Sequence, residues 1–295
     1  MYSWLHQSYI GQKLCTIFWK GVRSSAIRAN GYFASDNAKP LLPEDPLYAW
    51  YHPTKVFPRT PGFFDQVQSG RIQIIRGQAI GLETGTGSSF ELLLVKSDDS
   101  NTIISADAVV LATGYLNNLS TFFTDDLKQQ LLLSGPTSDL DEETRSHWQG
   151  LDRNAAQQLR QTLPLLPARN FGNVSDLSTS PDRLYRRLVP LSQLTARNIV
   201  FSGSAITFSS MLVAGMQAEW IIRYFSNSPS FQLPSQEVAA KEVALGTNFS
   251  ALRYGEKESL DGAALAFDLL PYVGSLCEDM GYSAQRKQSW FAEKL

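Results

Sequence analysis

Apolar residues at Ile10, Leu14, Ile17, Phe18 and Val22 recur at spacings of three and four, the period of one helix face. They predict a helix over residues 3–29, ended by Asn30-Gly31. The pattern is lost over residues 36–62. Pro40, Pro43, Pro46, Pro53, Pro58 and Pro61 exclude a helix or a central strand there, while Tyr48, Trp50, Tyr51 and Phe57 supply apolar mass to pack. The period then changes to two. R-I-Q-I-I-R alternates around Ile72 and Ile74, F-E-L-L-L-V follows a turn at Gly85-Thr86-Gly87-Ser88, and Thr102–Ser105 follows a turn at Asp98-Asp99-Ser100-Asn101. Together these segments predict a β-meander. It feeds A-D-A-V-V-L-A-T-G-Y, residues 106–115, whose apolar run Ala108–Ala112 is that of a strand covered on both faces.

Residues 116–182 are less regular; S-D-L-D-E-E-T-R-S-H-W and L-D-R-N-A-A-Q-Q-L-R-Q-T-L predict surface helices, closed by Pro164 and Pro167. R-L-Y-R-R-L-V-P then leads to N-I-V-F-S-G, a second predicted buried strand ending at Gly203. A turn of small polar residues, Ser204 to Ser210, opens a helix over about 211–225. On it Val213, Gln217, Trp220 and Tyr224 share one face, and Glu219 and Arg223 can pair on another. Residues 226–253 begin polar, and the last 40 or so predict one or two helices broken at Pro271. The organisation expected is a helix and Pro/aromatic segment (1–62), a meander with its return strand (63–115), an α/β part (116–226) and a helical extension (227–295).

Composition narrows the function classes. With 295 residues, 43% hydrophobic and 18% charged, the chain is globular in character. A net charge of −2 gives no general attraction for nucleic acid. No apolar run is long enough to span a bilayer, the first residues lack a signal-peptide pattern, and two distant thiols, Cys15 and Cys277, suit a reducing, cytoplasmic setting.

His6, His52 and His147 are too far apart in sequence to suggest a metal site, and there is no Gly-x-Ser-x-Gly elbow. His52, in W-Y-H-P-T-K, reads either as a loop histidine packed among aromatics or as a functional one. The only G-x-G is Gly85-Thr86-Gly87, which lies between two strands with Phe90 where a third glycine belongs, so it is a hairpin turn and not a pyrophosphate loop. Two positive signals remain. Gln217 is an amide on a face expected to be buried, so backbone groups or a bound ligand must satisfy it. The order strand, Gly203, small polar residues, helix places free N–H groups where α/β sheets bind ligands; Ser204, Thr207, Ser209 and Ser210 would let a cofactor approach, or Ser209 or Ser210 caps the helix.

Three blocks together resemble the C-terminal half of flavin-containing monooxygenases, above all the fungal ones of secondary metabolism. They are F-F-D-Q-V-Q-S-G-R-I-Q-I-I-R-G with A-D-A-V-V-L-A-T-G-Y, then L-Y-R-R-L-V-P, then N-I-V-F-S-G-S with M-Q-A-E-W. The resemblance implies an α/β fold, here a meander plus a parallel-sheet remnant of an FAD domain. It implies an enzyme using FAD and NADPH to oxygenate a small organic substrate, the flavin carrying the chemistry. It places Thr113, Gly114 and Tyr115 on one side of the flavin and Gly203, Ser204 and Gln217 on the other. No catalytic acid or base is carried over. The G-x-G-x-x-G motifs of both dinucleotide sites and the F-x-G-x-x-x-H signature are absent from these residues. The expectation is therefore a truncated monooxygenase-like chain, or an inactive remnant or partner subunit without independent flavin binding; the partner expected besides the substrate is a second copy or a complementing chain.

Overall fold

A computed structural model describes residues 6–42, 62–85, 89–96, 100–110, 122–166, 178–205, 207, 209–254, 265 and 268–283. They fall into two compact units, one drawn from residues 18–110 and one from 6–17 and 122–283, the boundary falling within the first helix.

Helix α1 spans Tyr9–Asn30, close to its predicted bounds. Gly31 ends it at φ +64°, a conformation that favours glycine. In the unit of residues 18–110, α2 (Phe63–Gln68) packs Phe64 edge-on to Tyr32 at 5.5 Å. The meander is present as three antiparallel strands, β1 (Gly77–Thr84), β2 (Phe90–Lys96) and β3 (Asn101–Ala106). The Gly85 N–H bonds to the Ser89 carbonyl at the first turn, as a hairpin requires.

The first strand is not where the alternation predicts it. Residues 71–76 have no ladder, although Ile72 and Ile74 are half-buried and their neighbours exposed. Asn37 takes the place of a neighbouring strand: its Nδ2 donates to the Ile72 and Val67 carbonyls, and its Oδ1 accepts from the Ile74 N–H at 3.0 Å. Arg76 donates to the carbonyls of Pro40 and Leu42. Two of the backbone groups that a strand would pair, the Ile72 carbonyl and the Ile74 N–H, are thus satisfied by one side chain. Regular pairing starts only at Gly77, with a register shift between Ala79 and Gly81.

Neither predicted parallel strand is formed among the described residues. β3 ends at Ala106, and Ala108–Val110 carry no pairing, Val110 being 88% exposed. Residues 198–203 are likewise unpaired as a strand; the Phe201 N–H makes an isolated bond to the Leu188 carbonyl at 2.7 Å. All sheets described are antiparallel: the meander, and two-residue pairings of β4 (Gly135–Pro136) with β5 (Thr179–Ser180) and of β6 (Leu184–Tyr185) with β7 (Val189–Pro190). The chain is a mixed helix-and-strand protein, but a parallel sheet is not part of what is described.

Helices dominate the second unit. After the short α3 (Asp125–Leu131), the two predicted surface helices of residues 138–163 form one, α4 (Glu142–Thr162). Asp141 caps it, accepting the Thr144 N–H at 2.8 Å, and Glu142 and Glu143 lie in the positive first turn. Trp148, Asp152, Ala155, Ala156 and Leu159 form its buried stripe. α5 (Ser210–Phe225) matches its prediction, burying Val213, Gln217, Trp220 and Tyr224 and pairing Glu219 with Arg223 at 2.8 Å.

α6 (Gln236–Tyr254) lies in the extension expected to be helical, although no periodic stripe marks it; its Ala239, Ala240, Val243, Ala244, Thr247 and Asn248 are all buried against the rest of the unit, including α4. α7 (Leu269–Asp279) contains Pro271 without breaking. The proline lies in the first turn, where its missing N–H would have had no helical partner. Trp220 is the centre of the core, stacked on Tyr224 at 5.0 Å with Phe231 edge-on at 5.0 Å. Among the described residues no helix is long and apolar enough to cross a membrane.

The Asp141 cap carries a pH signature. The hydrogen bond from the Thr144 backbone holds the Asp141 carboxyl below its ordinary value of 3.8. A lowered folded pKa means that the stabilisation is full above the ordinary value and is lost as pH falls through the folded one. Asp141→Ala should therefore melt earlier than the parent at neutral pH. The gap should close as pH falls below about 4, read by circular dichroism melts across pH.

Candidate functional site

The nominated residues fall into two groups. Thr113, Gly114 and Tyr115 lie outside the described residues, as does His52. Gly203, Ser204 and Gln217 are described, and two of them converge on L-Y-R-R-L-V-P. This block is a tight hairpin in which Leu184 pairs with Pro190 and Tyr185 with Val189. Two of its three turn residues, Arg186 and Arg187, stand at φ 51° and 56°. Both angles belong to a turn that favours Asn-Gly, and arginine holds them only with strain of order 1–3 kcal/mol each.

Side-chain bonds impose that turn. Asp279, at the end of α7, receives Arg186 Nε and Nη2 at 2.8 Å each, the Tyr185 hydroxyl at 3.0 Å and Trp220 Nε1 at 3.0 Å. Glu242 of α6 lies 2.8 Å from a further Arg186 nitrogen. Burial works against the Arg186 charge, but the bonds and charge of Asp279 outweigh it and hold the guanidinium firmly protonated. Burial, opposed by Arg186 and reinforced by Asp279, pushes the Tyr185 hydroxyl well above the tyrosine range, so it stays a donor.

The nominated polar groups bond to the backbone of the same turn. Ser204 is buried, and its hydroxyl donates to the Arg187 carbonyl. Gln217 is 1% exposed, and its Nε2 donates to the Tyr272 hydroxyl at 2.7 Å; that hydroxyl donates to the Arg186 carbonyl at 2.9 Å. The amide nitrogen thus bonds to a tyrosine of α7, a partner that neither sequence reading supplied. Gly203 needs its glycine for a φ of +90°, yet its Cβ direction is open and the residue is exposed. Neither Ser209 nor Ser210 caps α5 with its side chain.

Arg187 is the chemically unusual member. Its Nη2 donates to the Ser250 hydroxyl at 2.8 Å, and no ion pair among the described residues includes it. The residue keeps some exposed surface, but burial of its guanidinium pushes its pKa down to about 10, so it stays cationic at neutral pH. A desolvated cation of this kind can hold an anion. Sequence reasoning missed it, along with Asp279 and Tyr272. The available signal was the Arg186-Arg187 pair inside an otherwise apolar hairpin.

The described residues do not by themselves fit a flavin. The Ser204 hydroxyl and the Gln217 amide nitrogen bond to the protein, as does the Tyr272 hydroxyl that links Gln217 to the turn. A pocket beside α4, lined by Thr137, Leu140, Arg145, Trp148, Pro181 and Arg183 among others, is open to solvent and spans about 260 Å³ with that solvent included, below the range of cofactor pockets. Among the described residues no group of three or more His, Cys, Asp or Glu could hold a metal ion.

The similarity to known proteins is nonetheless consistent. The chain is 29% identical over 289 residues to an FAD-dependent monooxygenase of Pyrenophora dematioidea, covering 96% of this chain and 50% of that protein. It is 28% identical over 284 residues to one of Aspergillus nomiae (94% and 46%), and 26% identical over 306 residues to one of Alternaria brassicicola (99% and 49%). These curated relatives are fungal FAD-dependent monooxygenases, the kind of protein that the three sequence blocks resemble. The chain spans about half the length of each. No protein-family model matches the chain, and no solved structure does.

Proposed function

We propose that the chain forms part of an FAD-dependent monooxygenase of the fungal secondary-metabolite kind, with NADPH as electron donor and a small organic molecule as substrate. The observation that carries the reading is similarity along nearly the whole chain to proteins of that description. The inward-turned Ser204 and Gln217, and the lack of a G-x-G-x-x-G in these residues, favour flavin binding only when a dinucleotide-binding segment is supplied alongside, in the same or a separate polypeptide. A partner-subunit role is the same reading with that segment on another chain.

The test is flavin retention after desalting. The chain is incubated with FAD alone, then with FAD and a polypeptide comprising the part of the Pyrenophora relative that it does not match. The expected result is colourless protein alone and a bound-flavin spectrum with the complement. Yellow protein without the complement would remove the need for a second segment, and no flavin in either case would remove the flavoprotein reading.

A further inference from the structure

The helix that is easiest to read in the sequence turns its legible face outward. Ile10, Leu14, Ile17 and Phe18, which set the period of α1, are 63%, 51%, 66% and 63% exposed. The same helix buries Gly11, Ala26 and Asn30 on another side. The exposed four occupy roughly a 100° arc of the helix. Lys13 and Lys20, both exposed, lie along one edge of that arc, and Arg28 is exposed in the last turn. Residues 1–35 contain Lys13, Lys20, Arg23 and Arg28 and no Asp or Glu, although the whole chain carries −2.

We infer that α1 is an interfacial helix that lays its Ile10–Phe18 stripe on an anionic lipid surface. An apolar stripe with cations along one edge, on a helix lacking acids, is a form that seats in the headgroup region, with apolar side chains entering the acyl boundary and lysines meeting lipid phosphates. The length agrees, since the helix lies along the surface and none of the described helices is apolar enough to cross it. A second copy of the chain fits worse. Two such helices would oppose like charges, and four half-exposed side chains offer on the order of 400 Å², against about 800 Å² per partner in a stable dimer. The inference does not depend on flavin binding.

The test is flotation of the full 295-residue chain with vesicles of pure phosphatidylcholine and with vesicles containing about 30% phosphatidylserine. Partitioning onto the anionic vesicles should exceed that onto the neutral ones at least about tenfold and fall as salt is added. Leu14→Glu with Ile17→Glu, both at exposed positions, should abolish binding while leaving the helical circular dichroism and the melting point unchanged. Lys13→Glu with Lys20→Glu should reduce anionic binding to the neutral level. Absence of binding to the anionic vesicles, equal binding to both compositions, or indifference to either double variant would overturn the assignment. So would a concentration-dependent dimer that the Leu14→Glu, Ile17→Glu protein no longer forms, since that would give the stripe to a second copy.

Discussion

Asp279→Ala is expected to cost the fold about 3–5 kcal/mol, the usual penalty for breaking a buried ion pair by removing one partner. The carboxylate is 4% exposed and collects Arg186 twice, the Tyr185 hydroxyl and the Trp220 indole. Alanine would leave a phenol and an indole without acceptors and Arg186 with Glu242 as its remaining charge partner. It would also release the turn that holds Arg186 and Arg187 at positive φ. Domains of this size are stable by only about 5–15 kcal/mol, so the variant should unfold at a much lower urea concentration. Asp279→Asn keeps the shape and one acceptor and should fall between the two. A loss below about 1 kcal/mol for alanine would show that Asp279 does not organise the hairpin.

A loss of similar size, again about 3–5 kcal/mol, is expected for Asp152→Ala. Asp152 is fully buried in α4, bonded to both terminal nitrogens of Arg183 at 3.0 and 2.7 Å and to the Asn248 amide at 3.0 Å. Arg183 lies over the Trp148 ring at 4.1 Å, so its flat face already packs as an apolar group does. Its Nε is buried without a hydrogen-bond partner, so the pair is not fully satisfied even intact. Arg183→Met alone strands the carboxylate, whereas Asp152→Ala combined with Arg183→Met strands no charge. The double variant should therefore be more stable than Asp152→Ala by itself, an ordering that a double-mutant cycle in urea reads directly.

What could be read from the sequence depended on where each signal lives. The Val213, Gln217, Trp220, Tyr224 face of α5 was legible because one stripe is buried and the opposite face is polar. α1 was legible as a helix, but period alone does not say which face will be covered, and its stripe lies outward. α6 left no stripe because Ala, Thr, Asn and Ser side chains are buried on several sides of it. R-I-Q-I-I-R alternates in burial as expected, yet its pairing partner is the side chain of Asn37, 35 residues upstream of the Ile72 it bonds. The run at Ala108–Val110 showed that apolar content states what a segment could bury and not what covers it. At the site, Ser204 and Gln217 were identifiable as small or buried polar positions. Their partners lie 17 residues upstream and 55 downstream, a distance that no local pattern spans.

That reach has a consequence for how the protein is made. The bonds that fix the 184–190 hairpin come from Asp279, 93 and 94 residues later in the chain, and the Trp220 bond crosses 59. A nascent chain emerging from the ribosome can form α4 and α5 early, but Arg186 and Tyr185 have no acceptor until α7 has been synthesised. Closing loops of that length before any contact rewards them slows folding and lengthens the time that apolar surface is exposed. Assembly of this unit therefore waits on the emergence of a single carboxylate, that of Asp279, well after the helices it joins.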